Sequence, residues 1–274
     1  MADDQTRRLI DRFGRRLDYL RISVTDRCNL RCAYCMPLGG IEQLKRQEML
    51  SFEEIAEVAR SAADRGVTKL RITGGEPLVR KHLPRLVELL AKIPGVEDLS
   101  MTTNGVLLAQ WAKQLAEAGL QRVNVSLDTV DPDRYRAITC GGELRDVLAG
   151  IEAARSVGLL PVKLNCVVEE SAAEPDAEAV ARFAREHKLE VRYIMKMNLA
   201  QGAFSIVEGG AGGDCPKCNR LRLTSNGSLK PCLFSDISFN VRELGVEEAL
   251  SCAVEGKPEA GTSCRLENIH SIGG

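Results

Sequence analysis

The chain lacks any apolar run approaching the roughly 20 residues that cross a bilayer. Its opening stretch, Met1 to Arg16, mixes charges of both signs and has no apolar core. We therefore expect neither a membrane anchor nor a secretion signal, and place the protein in a reducing cytoplasm. An excess of one charge is lacking too. The 37 Lys and Arg face 38 Asp and Glu, a formal net charge of −1. This excludes a general nucleic-acid or membrane-surface binder and leaves any anion selectivity to locally placed cations. Nothing suggests disorder: 44% of the 274 residues are hydrophobic and 27% charged. That is enough for one large α/β domain with an appendage.

What is present is cysteine, ten of them, read in a reducing compartment as thiols rather than disulfides. Cys28-Asn29-Leu30-Arg31-Cys32-Ala33-Tyr34-Cys35 packs three into one short stretch. Thiolates this close converge on one centre, and three of them leave one iron of a four-iron cluster open to another ligand. The competing reading is zinc, but structural zinc wants four ligands, usually as two separated pairs, and the triplet offers none.

A second set follows late in the chain: Cys215 and Cys218, then the turn Ser225-Asn226-Gly227, then Cys232. Asn-Gly between alternating runs is a strong hairpin signal, and folding that hairpin returns Cys232 to Cys215 and Cys218. A second open-iron cluster is the leading reading. A zinc or iron site completed by Cys252 or Cys264 is the alternative. Arg220 and Arg222 share one face of the first hairpin strand, beside that site.

Between the two sets the pattern alternates strand and helix. Strands are expected near 18–24, 67–73, 97–103, 121–127, 161–168 and 189–195, and helices near 52–65, 82–92, 106–118, 143–157 and 175–187. Gly66, Gly119 and Gly158 sit where helix C-caps are expected, and Ser51 and Asp131 where helices start. The alternation implies parallel βαβ units and an α/β fold, a sheet curled into a partial or full TIM-type barrel, with a small C-terminal domain containing a β-hairpin. The glycine-rich run Gly202 to Gly213 reads as a linker, dividing the chain into 1–199 and 200–274.

Alternate strand residues point to opposite faces. One face is apolar throughout and goes under the helices. The other, the lumen, carries Arg21, Lys69, Arg71, Lys163 and Arg192 with Asp128. So many cations make the lumen wet or ligand-filled. We expect a pocket for a polyanion, and a triphosphate matches their number; taken singly, each is equally readable as a solvent-facing rim residue. Thr73-Gly74-Gly75-Glu76-Pro77, Thr102-Thr103-Asn104-Gly105 and Ser126-Leu127-Asp128 close their strands at the carboxyl rim, where barrel enzymes keep their chemistry. The terminal Gly273-Gly274 reads as a frayed end.

Cys-x3-Cys-x2-Cys after a strand and the Gly-Gly-Glu-Pro turn resemble the signature of the radical S-adenosylmethionine (SAM) enzymes. The run from Tyr19-Leu-Arg-Ile-Ser-Val-Thr-Asp-Arg-Cys28 to Met197, the stretch from Cys215 to Phe234 and the final Gly-Gly resemble one family among them, the GTP 3′,8-cyclases of molybdenum cofactor biosynthesis. The resemblance implies a partial (βα)6 TIM-type barrel with two 4Fe-4S clusters, one on Cys28, Cys32 and Cys35 and one on Cys215, Cys218 and Cys232. It implies SAM at Tyr34, Gly74, Gly75, Glu76, Ser126 and Met197. It implies GTP at Arg21, Lys69, Arg71, Thr102, Lys163, Arg192, Arg220, Leu221 and Arg222. Arg21, Arg71, Lys163, Gly273 and Gly274 would serve catalysis, the last two as a tail reaching the active site.

The implied activity is that of a radical SAM lyase forming 3′,8-cyclo-7,8-dihydro-GTP. A flavodoxin- or ferredoxin-type electron donor, a downstream pyranopterin synthase and a homodimer are implied as partners. Three departures stand against the family pattern: a segment between Arg192 and Cys215 shorter by a few dozen residues, Met195 and Asn198 where Glu and Pro are usual, and Cys140 in place of Gly. They keep open an alternative, a radical SAM enzyme with an auxiliary cluster that modifies a peptide or another small molecule.

Overall fold

Each parallel strand is short and apolar on one face, so each needs a helix over that face. The computed structural model describes residues 8–35, 43–265 and 272. It runs β1 (Tyr19–Ser23), α1 (Phe52–Asp64), β2 (Lys69–Thr73), α2 (Leu83–Ala91), β3 (Asp98–Thr103), α3 (Leu108–Glu117), β4 (Arg122–Ser126), α4 (Pro132–Thr139), α5 (Leu144–Ser156), β5 (Lys163–Val168), α6 (Pro175–Glu186) and β6 (Glu190–Met195). The expected elements fall within two residues of these bounds. The addition is α4, whose N-cap Asp131 accepts from the Asp133 and Arg134 amides at 2.9 Å each.

Local chemistry sets the boundaries. Ser51 and Glu54 form a capping box at the start of α1: the Glu54 amide donates to Ser51 Oγ at 3.1 Å and the Ser51 amide to Glu54 Oε2 at 2.6 Å. Ile55, Val58, Ala59 and Ala62 then recur at helical spacing and are fully buried. Gly66, Gly119 and Gly158 follow their helices with positive φ, as the capping pattern requires. Cys140 takes the same left-handed conformation, φ 55°, at the end of α4, a position that suits glycine better.

Neighbouring strands β1 to β6 pair in parallel, in the order β6-β5-β4-β3-β2-β1, with further strands beyond β1. Leu20, Ile22, Leu70, Ile72, Val123, Val125 and Leu164 lie on the helix-covered face with no exposure. Each contributes about 1.5–3 kcal/mol on burial.

The C-terminal hairpin is part of this same sheet. β7 (Arg220–Leu223) pairs in parallel with β1, setting Arg222 opposite Arg21, and β8 (Ser228–Lys230) and β9 (Phe239–Asn240) follow antiparallel. Two helices, α7 (Val241–Leu244) and α8 (Val246–Glu255), come after. Arg192 on β6 and Arg220 on β7 line one cavity although β5 to β1 separate their strands, so the sheet curls into a partial barrel.

The glycine-rich run is a correction to the linker expected there. Glu208 pairs with Tyr193 through two backbone hydrogen bonds of 3.0 and 3.1 Å, and Gly210, Gly212 and Gly213 line the cavity. Its glycines answer to packing: a Cβ on Gly213, φ 80°, would lie 1.9 Å from the Ser205 carbonyl.

Candidate active site

The first cysteine triplet follows β1 directly. Its approach is zipped to the Gly-Gly-Glu-Pro turn: the Gly75 amide donates to the Thr25 carbonyl and the Glu76 amide to that of Arg27, both at 2.8 Å. A Cβ on Gly75 would stand 2.4 Å from the Arg27 oxygen, so the backbones meet only because no side chain intervenes. Cys28, Cys32, Cys35, Tyr34, Gly74, Gly75, Ser126 and Met197 line one cavity of ≈ 180 Å³ at the carboxyl ends of the strands. The sequence-predicted SAM residues are therefore together, with one exception.

Glu76 is fully buried and does not line that cavity. Its Oε1 accepts from the Leu78 amide at 3.0 Å and Thr103 Oγ1 at 2.8 Å, and its Oε2 from the Asn104 amide at 2.7 Å. The carboxylate braces two rim segments instead of facing a ligand. Burial pushes it up to about 7 against the pull of those hydrogen bonds.

Other side chains hold the triplet from outside. Tyr34 donates its hydroxyl to Asp128 Oδ2 at 2.7 Å, and Asp128 Oδ1 accepts from the Val167 amide at 2.8 Å. The Leu30 amide points at Cys28 Sγ from 3.4 Å and Asn104 Nδ2 from 3.8 Å. Burial, then neighbouring thiols and Asp128, pushes Cys32 up to about 12, and burial with Cys28 pushes Cys35 up to about 11.

Such thiols ionise when a metal takes them, and amide donors aimed at a sulfur suit a thiolate ligand. Among the described residues no three His, Cys, Asp or Glu side chains are gathered tightly enough to share a single ion. A cluster that offers each thiolate its own iron does not require that. The residues fit an iron–sulfur cluster.

Toward the amino ends of β1 to β4, and reaching along β6, lies a larger cavity of ≈ 410 Å³, lined by Arg21, Lys69, Arg71, Arg192, Arg220 and Arg222. The expected cationic chamber is there, with changes of membership. Lys163 does not line it; its ammonium is paired with Glu190 at the start of β6. Thr102 lines the triplet cavity instead. Leu221 buries its side chain in the hydrophobic core, on the strand face opposite Arg220 and Arg222. Gly273 and Gly274 lie outside the described residues; Ile272, before them, is fully buried against Leu233 and Phe234.

Tyr19, Asp98 and Arg122 also line the chamber and were not foreseen. A signal existed: stepping the lumen alternation two residues back from Arg21, Ser100 and Asn124 reaches each of them.

The chamber's charge is weakly compensated. Lys69 meets Asp18 at 3.0 Å and Arg122 pairs with Asp98. Arg71 and Arg220 lie over the Tyr19 ring at 5.4 and 5.7 Å. Burial and then Arg222 hold the Arg21 guanidinium well below its ordinary value, and burial and then Arg220 bring Arg222 to about 10. Arg192 Nε and Arg122 Nη1 are buried without a hydrogen-bond partner among the described residues. A polyanion relieves all of these at once.

Cys215, Cys218 and Cys232 open on this same chamber. Burial tends to raise the Cys218 thiol, but Lys257 and the Arg220 amide outweigh it and hold the thiol below its ordinary value. Neither other candidate ligand faces the chamber: Cys252 sits on α8 beside Glu248, and Cys264 is buried among Leu199, Leu233 and Phe234. Asn165, Ile194, Met195 and Met197 line both cavities, so the two cysteine sites flank one shared wall.

Comparison with known proteins agrees with this geometry. Residues 22–184 match the radical SAM superfamily. The chain is 41% identical over 280 residues to a GTP 3′,8-cyclase of Thermodesulfovibrio yellowstonii, covering 85% of this chain and 87% of that one. It is 38% identical over 314 residues to that of Geobacter sulfurreducens, covering 95% and 96%. In fold it resembles Streptococcus suis SuiB bound to precursor peptide SuiA, with TM-score 0.69 and 16% identity over 87% of this chain and 64% of that one. This chain belongs to the GTP 3′,8-cyclase family of the radical SAM superfamily.

Proposed function

We propose that this enzyme converts GTP to 3′,8-cyclo-7,8-dihydro-GTP, the first step of molybdenum cofactor biosynthesis. The observation that carries the reading is the cationic chamber, walled by strands on one side and the second cysteine set on the other, and sharing a wall with the triplet cavity. A triphosphate takes up Arg21, Lys69, Arg71, Arg192, Arg220 and Arg222, and its guanine is left toward Cys215, Cys218 and Cys232, where a second 4Fe-4S cluster with an open iron would meet it. SAM would lie against Tyr34, Gly74, Gly75, Ser126 and Met197. Bound there, the first cluster and SAM supply the radical chemistry that joins ribose C3′ to guanine C8.

The chain's own residues set placement. Met195, Met197, Ile194 and Asn165 hold the two ligands at one wall. Residues 1–199 serve the SAM end and 200–274 the second cysteine set. An electron donor of flavodoxin or ferredoxin type, a consumer of the product that builds the pyranopterin, and a reducing cytoplasm that keeps ten thiols free complete the reading.

The test is anaerobic incubation of the reconstituted chain with SAM, a reductant and GTP. We expect 5′-deoxyadenosine together with the cyclised nucleotide. Deoxyadenosine formed without any cyclised GTP would transfer the chain to another substrate.

A further inference from the structure

Lys257 is a lysine with 1% exposure that neither substrate cavity touches. Its placement follows from the end of α8, where the Gly256 amide donates to the Cys252 carbonyl at 2.8 Å and the Lys257 amide to that of Val254 at 3.2 Å. The side chain then runs inward to the mouth of the β7–β8 hairpin. An ammonium has three donors, and here each finds an acceptor: Cys218 Sγ at 3.5 Å, the Arg220 carbonyl at 2.8 Å and the Pro231 carbonyl at 2.6 Å. Arg220 begins one arm of the hairpin, just past Cys218, and Pro231 ends the other, just before Cys232. The ammonium thus closes the mouth whose two arms carry the cysteines.

The segment around it is held in register by a second buried cation. Arg15 Nη1 donates to the carbonyls of Cys215 and Glu259 at 2.8 Å each, and Nη2 to that of Pro258 at 2.6 Å, while Nε meets Asp11 at 2.6 Å. Four residues beyond Lys257, a Cβ on Gly261 would come within 3.2 Å of Cys232 Sγ. One stretch, 257–261, with the arginine that clamps it, therefore bonds to Cys218 and Cys215 and passes so close to Cys232 that a side chain at Gly261 would crowd its sulfur. The chamber cations Arg220 and Arg222 face the substrate cavity; Lys257 stands behind the cysteines, out of reach of any ligand there.

We infer that Lys257 is a positioning residue of the second cysteine site, closing the hairpin mouth and setting a buried positive charge against the Cys218 sulfur. The inference rests on the reading that this set holds a cluster. A donor and a positive charge at a ligand sulfur favour the more negative, reduced form of a cluster and raise its potential.

The experiment is a redox titration of the reconstituted full-length protein followed by electron paramagnetic resonance. The first cluster, recognised by the change of its signal on adding SAM, serves as the internal reference. Lys257→Met should move the second cluster's midpoint to more negative potential by at least tenfold in the reduction equilibrium, about 59 mV for one electron, with the first cluster unmoved and Lys257→Arg near the parent value. An unshifted second cluster, or both clusters shifting together, overturns the inference while leaving the two-cluster reading intact. Absence of a second cluster in the parent protein overturns both.

Should Lys257→Met lose the second cluster's iron, the arginine variant decides. Iron retained there at an unchanged midpoint supports a role for charge and donors, and iron lost there too overturns it.

Discussion

The charges acting on Cys28, Cys32 and Cys35 come from carboxylates, Glu76 and Asp128, and from each other. Those acting on Cys218 and Cys232 come mainly from Lys257, Arg220 and Arg222, with the Cys218 thiol also bearing on Cys232. Both sets are half-buried on one curled sheet, so burial does not separate them; the sign of the surroundings does. The first set is placed at the carboxyl rim, where glycines let backbone approach a ligand. The second opens on a nest of cations, the chamber proposed to take GTP. On the proposed reading, one end of the barrel answers only to thiolate ligation, and the other combines it with the charge of the substrate.

The largest test of that contrast is to delete each site in turn. Cys32→Ala should lose the iron of the first site and all SAM cleavage while keeping that of the second, so that iron per chain falls by about half. Cys218→Ala should lose the other half and keep deoxyadenosine formation without a cyclised product. Iron analysis and product chromatography read both. Complete iron loss in either variant would mean that the two sites do not assemble separately, and the comparison between them would fail.

A smaller effect separates the chamber from its edge. Arg71 is 8% exposed, lines the cavity and lies over Tyr19, with Nε on Ser100 Oγ at 3.2 Å. Arg71→Ala should weaken GTP binding by roughly 10- to 100-fold, about 1.4–2.8 kcal/mol, with a shallower salt dependence than the parent. Lys163 already spends its charge on Glu190, so Lys163→Ala should change affinity by less than about threefold, the scale of a surface ion pair. Titration of each variant with GTP at two salt concentrations checks this. Equal losses would place Lys163 in the chamber after all.

The difference between Arg71 and Lys163 also marks how far the sequence could be read. Alternation along the strands identified the lumen face, because a parallel strand covered by helices has only one face free for polar residues. It does not say which end of the strand a residue occupies relative to the ligand, which is why Thr102 falls at the triplet cavity; Lys163 opens its strand as the chamber cations do, but its ammonium is taken by Glu190. Leu221 was carried along with its neighbours Arg220 and Arg222, although alternation turns its side chain into the core. The glycine-rich run looked like a linker because composition registers missing side chains and not the carbonyls that crowd them. Lys257 and Arg15 left no sequence signal at all. Each acts on backbone carbonyls brought near by the hairpin, and such contacts have no spacing rule.

Glu76 gives the smallest and most local effect. Its carboxylate accepts three hydrogen bonds in a fully buried position, and among the described residues the second cysteine site has no counterpart. In Glu76→Gln one oxygen can still accept, but the amide nitrogen faces a backbone N–H that then goes unpaired, at a cost of about 1–3 kcal/mol. The pH dependence supplies the sign. Burial raises the folded-state value from 4.5 to about 7, so the folded protein holds this proton more tightly than the unfolded chain. The group's stabilisation is therefore full below the ordinary value and is lost as pH rises toward about 7. Urea unfolding across that range should show the parent losing stability with rising pH relative to Glu76→Gln, which has no such proton to give up. If the two curves run parallel, the hydrogen bonds to Leu78, Thr103 and Asn104 outweigh burial, and the carboxylate beside the first cysteine set is charged throughout.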